Sequence, residues 1–528
     1  MTNESEAQPK TDEEPKFLIG SYVLETLTTG MYVEPRDAIR EYVQNAFDAI
    51  RSSRDGSVAL QAPPRIDIVV SESGDGFIQI RDNGASITAE RVWETLTSIG
   101  SSRKTARRQA GFRGIGRLAG IAYCDRLEFT CKAPGEAVTS IVSYNCSEIR
   151  KALREGNEEL EPVFRRSISH ETRDGEALDD HYTLVTLHGL SETPAEMKDI
   201  ASLGDYLRMV APVDYKSHWA PGEEIKRHAE NIGQTIPTVP VFLGPPDEPG
   251  EELRKPYQQT IHAGSKPATI RRINFFNGGE ASGSRWWGWH AETALYGIVK
   301  DDFGGFRLRT KNIQLGDAEI LSRTLAKHGK SYSRFSAWHI GEIFIEGDTV
   351  FPNARRDGLE DSTAWREIEG QILAEIVPLA REAYKASRER KSKDFDKVKL
   401  QTDTEIKEVE ESLKPKANPQ ADEPPPDRKA TERKLNAALK RLENLNLDDY
   451  TEEQQTDIRE SGVRLRALAQ EASVVLKPTI TSRRSSPNNG DVPHRDILDI
   501  VFDVLQSLLD TRTFNKARQL LLKRFRDL

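Results

Sequence analysis

The chain has 528 residues, with 75 lysines and arginines against 84 aspartates and glutamates and a formal net charge of −9. That length is too great for one domain and suggests three or four, and the acidic balance gives no global sign of a nucleic-acid-binding protein. No apolar run approaches the roughly 18 residues of a membrane span, so no membrane partner is expected; Cys124, Cys131 and Cys146 lack paired metal-ligand spacing and read as reduced core thiols of a cytoplasmic protein.

In chain order, Met1 to Lys16 is acidic and polar, reading as a disordered start rather than a signal peptide. Pro35 can open a helix, and Arg36 to Arg51 contains no further proline or glycine. At about 100° per residue, Asn45 and Asp48 fall roughly 40° and −20° from Glu41, so the three share one narrow stripe. Ile39, Val43, Ala46 and Ile50 cluster on the opposite side. One face packs into a core while the other presents carboxylate, amide and carboxylate; an ordinary solvated face would look the same. Arg65–Val70 and Phe77–Arg81 alternate apolar residues around the turn-rich Ser71–Gly76, predicting a β-hairpin that leads into Asp82-Asn83-Gly84. A glycine there lets backbone approach a planar ligand while the aspartate accepts from an exocyclic amine, although a plain turn uses the same letters.

Ile99 to Ala110 is small, polar and basic, and Gly111-Phe-Arg-Gly114-Ile-Gly116 follows, running into a predicted helix. Backbone N–H groups at such a helix start suit phosphate. A Rossmann fingerprint does not fit, because the spacing is inverted and a basic loop, not an apolar strand, precedes it. Taken together, the three segments point to an ATP-binding module.

Further on, His181 to His188 reads as a strand, Gly305 to Leu315 is strand-like, and His339 to Ile345 is another strand. Arg285-Trp-Trp-Gly-Trp-His290 places three of seven tryptophans within four residues; buried they are core, exposed they are a binding anchor, and core is the preferred reading. Past Arg388 the chain becomes highly charged with helical letters, and Lys414 to Asp427 is a proline-rich linker. Leu435, Leu439 and Leu442 then repeat at helical spacing, Thr451-x-x-Gln454 resembles a capping box, and Val463 to Val475 forms the return helix. After a second linker, Ile497, Val501, Val504, Leu505 and Leu508 line one face of a last helix, which leaves packing within the chain and dimerisation both open.

The combination resembles the GHKL (Bergerat-fold) ATPases: gyrase, the ninety-kilodalton heat-shock chaperones, histidine kinases and MutL. Gly30 to Ile50 is most similar to the chaperone version, and residues 215 to 385 resemble the chaperones' middle (transducer) domain. The resemblance implies an α+β chain: a Bergerat-fold ATPase α/β sandwich, a ribosomal-S5-like α/β transducer domain, and an α-helical C-terminal region. The corresponding boundaries are 1–16 for the disordered start, 17–214 for the ATP-binding domain, 215–387 for the transducer and 388–428 for the charged helix and linker. A helical hairpin occupies 429–477, a linker 478–493, and C-terminal helices 494–528.

The resemblance further implies ATP and Mg²⁺ as ligands. Glu41 would be the general base and Asn45 the Mg²⁺ ligand, with Asp48 orienting the site. Asp82 would hold the adenine amine, with Gly84 and Thr183 shaping its surroundings. Gly111, Gly114 and Gly116 would cradle phosphates, and the lid, about Ile87 to Ala110, would bring Lys104 to them. Arg356, with Arg355 as runner-up, would reach the γ-phosphate, as would the weaker candidate Lys311. The family's second motif continues Gly-x-Gly, whereas Gly84-Ala85-Ser86 ends in serine; a positive φ there would cost on the order of 1 kcal/mol. Function then reads as a mechanical ATPase, a clamp closing as a homodimer on a protein client. The alternatives are a nucleic-acid clamp or defence ATPase recruiting an effector, and a nucleotide-sensing adaptor with little turnover.

Overall fold

The computed structural model describes residues 34–55, 62–98, 116–155, 160–175, 177–190, 193–281, 283–329, 332–347, 349–353, 356–414, 428–445, 447 and 450–475. The expected disordered start, the lid beyond Ser98 with Lys104, Gly111, Gly114, Arg355, both linkers' cores and the last helices lie outside them. The chain divides into two compact units, Met1–Phe395 and Asp396–Leu528.

In the first unit, α1 (Asp37–Asp55) buries Ile39, Val43, Ala46 and Ile50, the apolar side predicted from the wheel, together with Tyr42 and Phe47. The hairpin of β1 (Ile66–Ser71) and β2 (Phe77–Asp82) pairs in the expected register, Ile66 opposite Asp82 and Ser71 opposite Phe77. After α2 (Ala89–Thr97), a 3-10 helix covers Gly116–Ala122 where an α-helix was expected. Four consecutive residues, Leu118 to Ile121, are buried there, and a tight three-residue turn suits so short an all-round burial. Then come β3 (Arg126–Lys132), β4 (Val138–Asn145), α3 (Cys146–Glu155), α4 (Leu160–Ser167), β5 (Ile168–Asp174) and β6 (Tyr182–His188).

The short α5 (Ala195–Lys198) precedes α6 (Ile200–Val210), which is capped by the Asp199 carboxylate accepting from Ser202 N–H, and α7 (Ala220–Asn231) follows. Next, β7 (Val241–Gly244) and β8 (Glu251–Glu252) complete an eight-stranded sheet of order β5-β4-β3-β6-β2-β1-β7-β8. This differs from the expected domain boundary at 214/215: β7 pairs parallel with β1, so the first sheet draws strands from beyond it. A two-residue strand such as β8 carries too little pattern to be read from letters alone.

The unit continues with the hairpin β9 (Thr260–Ala263) and β10 (Lys266–Thr269) and a second sheet, formed by β11 (Arg272–Ala281), β12 (Ser284–Glu292), β13 (Gly305–Thr310), β14 (Ile313–Leu315) and, after α8 (Glu319–His328) and α9 (Ser333–Ser336), β15 (Ile340–Gly347). Its order is β11-β12-β15-β13-β14. The 305–315 stretch is thus a hairpin rather than one strand, turned by Lys311 and Asn312, both at positive φ. Trp286, Trp287 and Trp289 of β12 are buried, which makes the cluster core. The helix α10 (Thr363–Leu413) starts well before the expected Arg388, and Ile368, Ile372 and Ile376 lie at four-residue spacing in the second core.

The second unit contains the end of α10, α11 (Arg428–Glu443) and α12 (Glu452–Val475). Leu435, Ala438 and Leu442 of α11 and Ile458, Leu465 and Leu468 of α12 are buried, while Leu439 is half-buried. The capping box is formed reciprocally: Gln454 N–H donates to Thr451 Oγ1 at 3.3 Å, and Thr451 N–H donates to Gln454 Oε1 at 3.2 Å. Ion pairs Arg441–Glu405, Lys434–Glu408 and Arg464–Glu410 stitch the three helices.

Candidate nucleotide site

The candidate site is built on the face of the first sheet that packs under α1. On β2, Ile78, Ile80 and Asp82 are buried in alternation, which sends the Asp82 carboxylate to the same side as the apolar residues packed against the helix. Asp82 lies opposite Thr183 of β6, and Thr183 opposite Cys131 of β3. Directly opposed residues share a face, so Asp82, Thr183 and Cys131 form one row across three strands. Burial, then the nearby Asp82 charge, pushes the Cys131 thiol up to about 12.

The loop after β2 is held tightly. Gly84 N–H donates to Asp82 Oδ1 at 2.8 Å, and Gly84 O meets His181 Nδ1 at 2.9 Å. A Cβ on Gly84 would lie 2.7 Å from Ala49 C and 2.8 Å from Ile50 N, so only glycine lets this loop lie against α1. Ser86 takes φ 59°, the left-handed conformation that the departure from Gly-x-Gly called into question. Its hydroxyl accepts from Thr183 Oγ1 at 3.1 Å and has the Cys131 thiol beside it. Asn83 serves the strand edge instead, accepting from Arg65 N–H at 2.9 Å and donating to Pro63 O at 2.9 Å.

On α1, Glu41 and Asp48 are buried and Asn45 is half-buried. Gly116 sits against Glu41: a Cβ there would overlap Glu41 Oε2. The two elements are held in place by Tyr42, whose hydroxyl donates to Arg117 O at 3.1 Å and accepts from Gly120 N–H at 2.8 Å. Arg117 in turn donates to Ser98 O, and burial lowers its pKa.

From the far end of the unit, Arg356 Nε lies 2.6 Å from Glu41 Oε1, with the two side chains only 12% and 6% exposed. Its backbone is at φ 56°; Arg356 O accepts from Gly316 N–H at 2.7 Å, which docks this loop on the end of the β13–β14 hairpin. Lys311 lies in the turn of that hairpin, also at positive φ. Its charge acts with that of Arg51 of α1 on Glu346, whose carboxyl is raised by burial against the pull of both cations. The turn is anchored by Asn312 Nδ2, which donates to Pro237 O at 3.0 Å and Val213 O at 3.3 Å.

Among the described residues, then, the structure brings together Glu41, Gly116 and Arg356 at one point, and Asp82, Gly84, Ser86 and Thr183 at another under the same helix. Asn45 and Asp48 lie between on α1. Sequence reasoning missed Tyr42 and His181. Tyr42 sits beside Glu41 in a helix pattern that marks it as core, which it also is, and His181 was legible only as the first residue of an expected strand, which begins at Tyr182.

The donor set fits a magnesium-bound triphosphate: a carboxylate and a side-chain amide on one helix face, with a glycine too close for any Cβ and an arginine fork brought against the carboxylate from other segments. Residues 33–168 match the family model described as histidine kinase-, DNA gyrase B- and HSP90-like ATPase. The DNA mismatch repair protein MutL of Pediococcus pentosaceus is 30% identical over 129 residues, 23% of this chain and 18% of that protein. The aligned stretch is a small fraction of the relative's length. The matches support a GHKL-type ATPase domain within the first unit; the second sheet and the helical unit lie outside the family match.

Proposed function

We propose that the chain is a Mg²⁺-dependent ATPase of the GHKL type, working as a nucleotide-driven clamp. The observation that carries this reading is the Glu41–Arg356 pair, in which residues 315 positions apart in sequence, one on α1 and one in the loop after β15, converge beside Gly116. Arg356 neutralises the Glu41 carboxylate and engages an oxygen lone pair that a general base would use. A γ-phosphate offers the guanidinium a more highly charged partner with matching fork geometry. Moving Arg356 onto it would free Glu41 to orient and deprotonate water. Mg²⁺, held through the Asn45 side-chain oxygen, would neutralise phosphate charge. Asp82 would accept from the base's exocyclic amine. Because the Arg356 loop is bonded to the β13–β14 hairpin, displacement of Arg356 would pull on the second sheet, which is the mechanical output of a clamp.

The similarity to MutL favours a clamp on nucleic acid with an effector partner over chaperone-like action on a protein client, the reading suggested by the chaperone resemblance. Homodimerisation through the first unit belongs to both. DNA-stimulated hydrolysis falling steeply with salt supports the nucleic-acid reading; suppressed aggregation of an unfolded client supports the other. For the site itself, Glu41→Ala is expected to keep ATP binding and lose hydrolysis, whereas Asp82→Asn loses binding. Undiminished ATP binding by Asp82→Asn would show the pocket to be misassigned.

A further inference from the structure

Four non-glycine residues among those described have positive φ: Ser86, Lys311, Asn312 and Arg356. Strained backbone persists where surrounding structure over-determines it and tends to collect at functional sites. Asn312 adopts this conformation readily and is anchored by two carbonyls. Ser86 is different, because glycine would serve the same turn without strain, so the hydroxyl is what serine adds.

That hydroxyl touches the row formed by Asp82, Thr183 and Cys131, bonded to its middle member and beside Cys131. Thr183 Oγ1 donates to Ser86 Oγ, which leaves the Ser86 proton to be given elsewhere. Its other neighbour is the Cys131 sulfur, a weak acceptor that a ring nitrogen would displace. Thr183 therefore links the two groups, lying opposite Asp82, a carboxylate acceptor, and bonding Ser86, a hydroxyl donor. A carboxylate alone does not choose between purines, since adenine offers it an amine and guanine offers it N–H groups.

Resting on the nucleotide reading above, we infer that Ser86 is a specificity-determining residue: its hydroxyl donates to the ring-nitrogen acceptor of adenine while Asp82 accepts from the neighbouring amine, so that the pair selects adenine over guanine nucleotides. With the phosphates held at the Glu41–Asn45 end of α1, the base enters in one orientation. Adenine and guanine present donor and acceptor on that edge in opposite order, so the Asp82–Ser86 pair matches one and opposes the other.

The test is calorimetric titration of the full chain with ATP and with GTP, in wild type, Ser86→Gly and Ser86→Ala. Glycine removes both hydroxyl and strain; alanine removes the hydroxyl and keeps the strain. Loss of one hydrogen bond to the base predicts ATP binding weaker by roughly tenfold in both variants. GTP binding changes little, so the ATP-to-GTP preference falls by a similar factor. Because the preference is a ratio within one preparation, a smaller folded fraction leaves it unchanged. An unchanged preference in both variants, in a protein whose wild type binds ATP, overturns this inference alone. A wild type that binds neither nucleotide overturns the nucleotide reading with it.

Discussion

The contact between Glu41 and Arg356 makes a quantitative demand on stability as well as on activity. With the pair 2.6 Å apart and both side chains nearly dry, replacing Arg356 by alanine strands a carboxylate without its partner. Removing one member of a buried pair costs roughly 3–5 kcal/mol, and the residual exposure of Arg356 places this case toward the lower end. Glu41→Ala should cost less, about 1–2 kcal/mol, because a long guanidinium stem can swing its charge toward water. In the double variant neither charge is stranded, so its loss should fall short of the sum by about 2 kcal/mol. All seven tryptophans (93, 219, 286, 287, 289, 338 and 365) lie in the first compact unit. Tryptophan fluorescence in urea therefore follows that unit alone. Additivity of the two single changes to within about 0.5 kcal/mol would refute the claim that this pair couples the helix to the Arg356 loop.

Other expectations follow from the same geometry. Gly84→Ala drives a methyl into the backbone of α1 at Ala49 and Ile50 and should lose about 1–3 kcal/mol in the same melts, with ATP affinity falling alongside; a neutral substitution would mean the loop is not held against the helix. In the second sheet, Glu342 is fully buried between Lys255, at 3.0–3.1 Å, and Arg309, and accepts from Tyr215 at 2.5 Å. Burial alone would raise its pKa, but the Arg309 and Lys255 charges prevail and hold it at about 2. A depressed carboxyl stabilises the fold above its unfolded pKa and loses that contribution as pH falls toward its folded value. Acid melts should therefore show about 3 kcal/mol disappearing between pH 4.5 and 2. Glu342→Gln should abolish that acid limb while weakening the unit at neutral pH, because Arg309 and Lys255 are left buried without their anion.

Much of the first sheet was legible because its signals are local. The α1 stripe, the β1–β2 hairpin and the strand at 182–188 each carry their periodicity within a few residues, and the Thr451–Gln454 cap is a four-residue device. The Lys311 turn inside Gly305–Leu315 was not legible as a turn, since its signal is two residues at positive φ inside a β-rich run. The boundary at 214 also failed as a division of the sheet, because parallel pairing of Val241–Gly244 with β1 is a long-range event that leaves no local mark.

By itself the sequence determined which residues could share a helix face and which glycines could admit backbone close to a neighbour, since both are consequences of fixed backbone periods and of a missing Cβ. Only the tertiary structure decided that Arg356 meets Glu41 and that Ser86 joins the Asp82–Thr183 row in a left-handed conformation. Those contacts join segments 97 and 315 residues apart, and no local propensity encodes them; they exist because strand pairing and the docking of the Arg356 loop on the β13–β14 hairpin bring distant segments against α1.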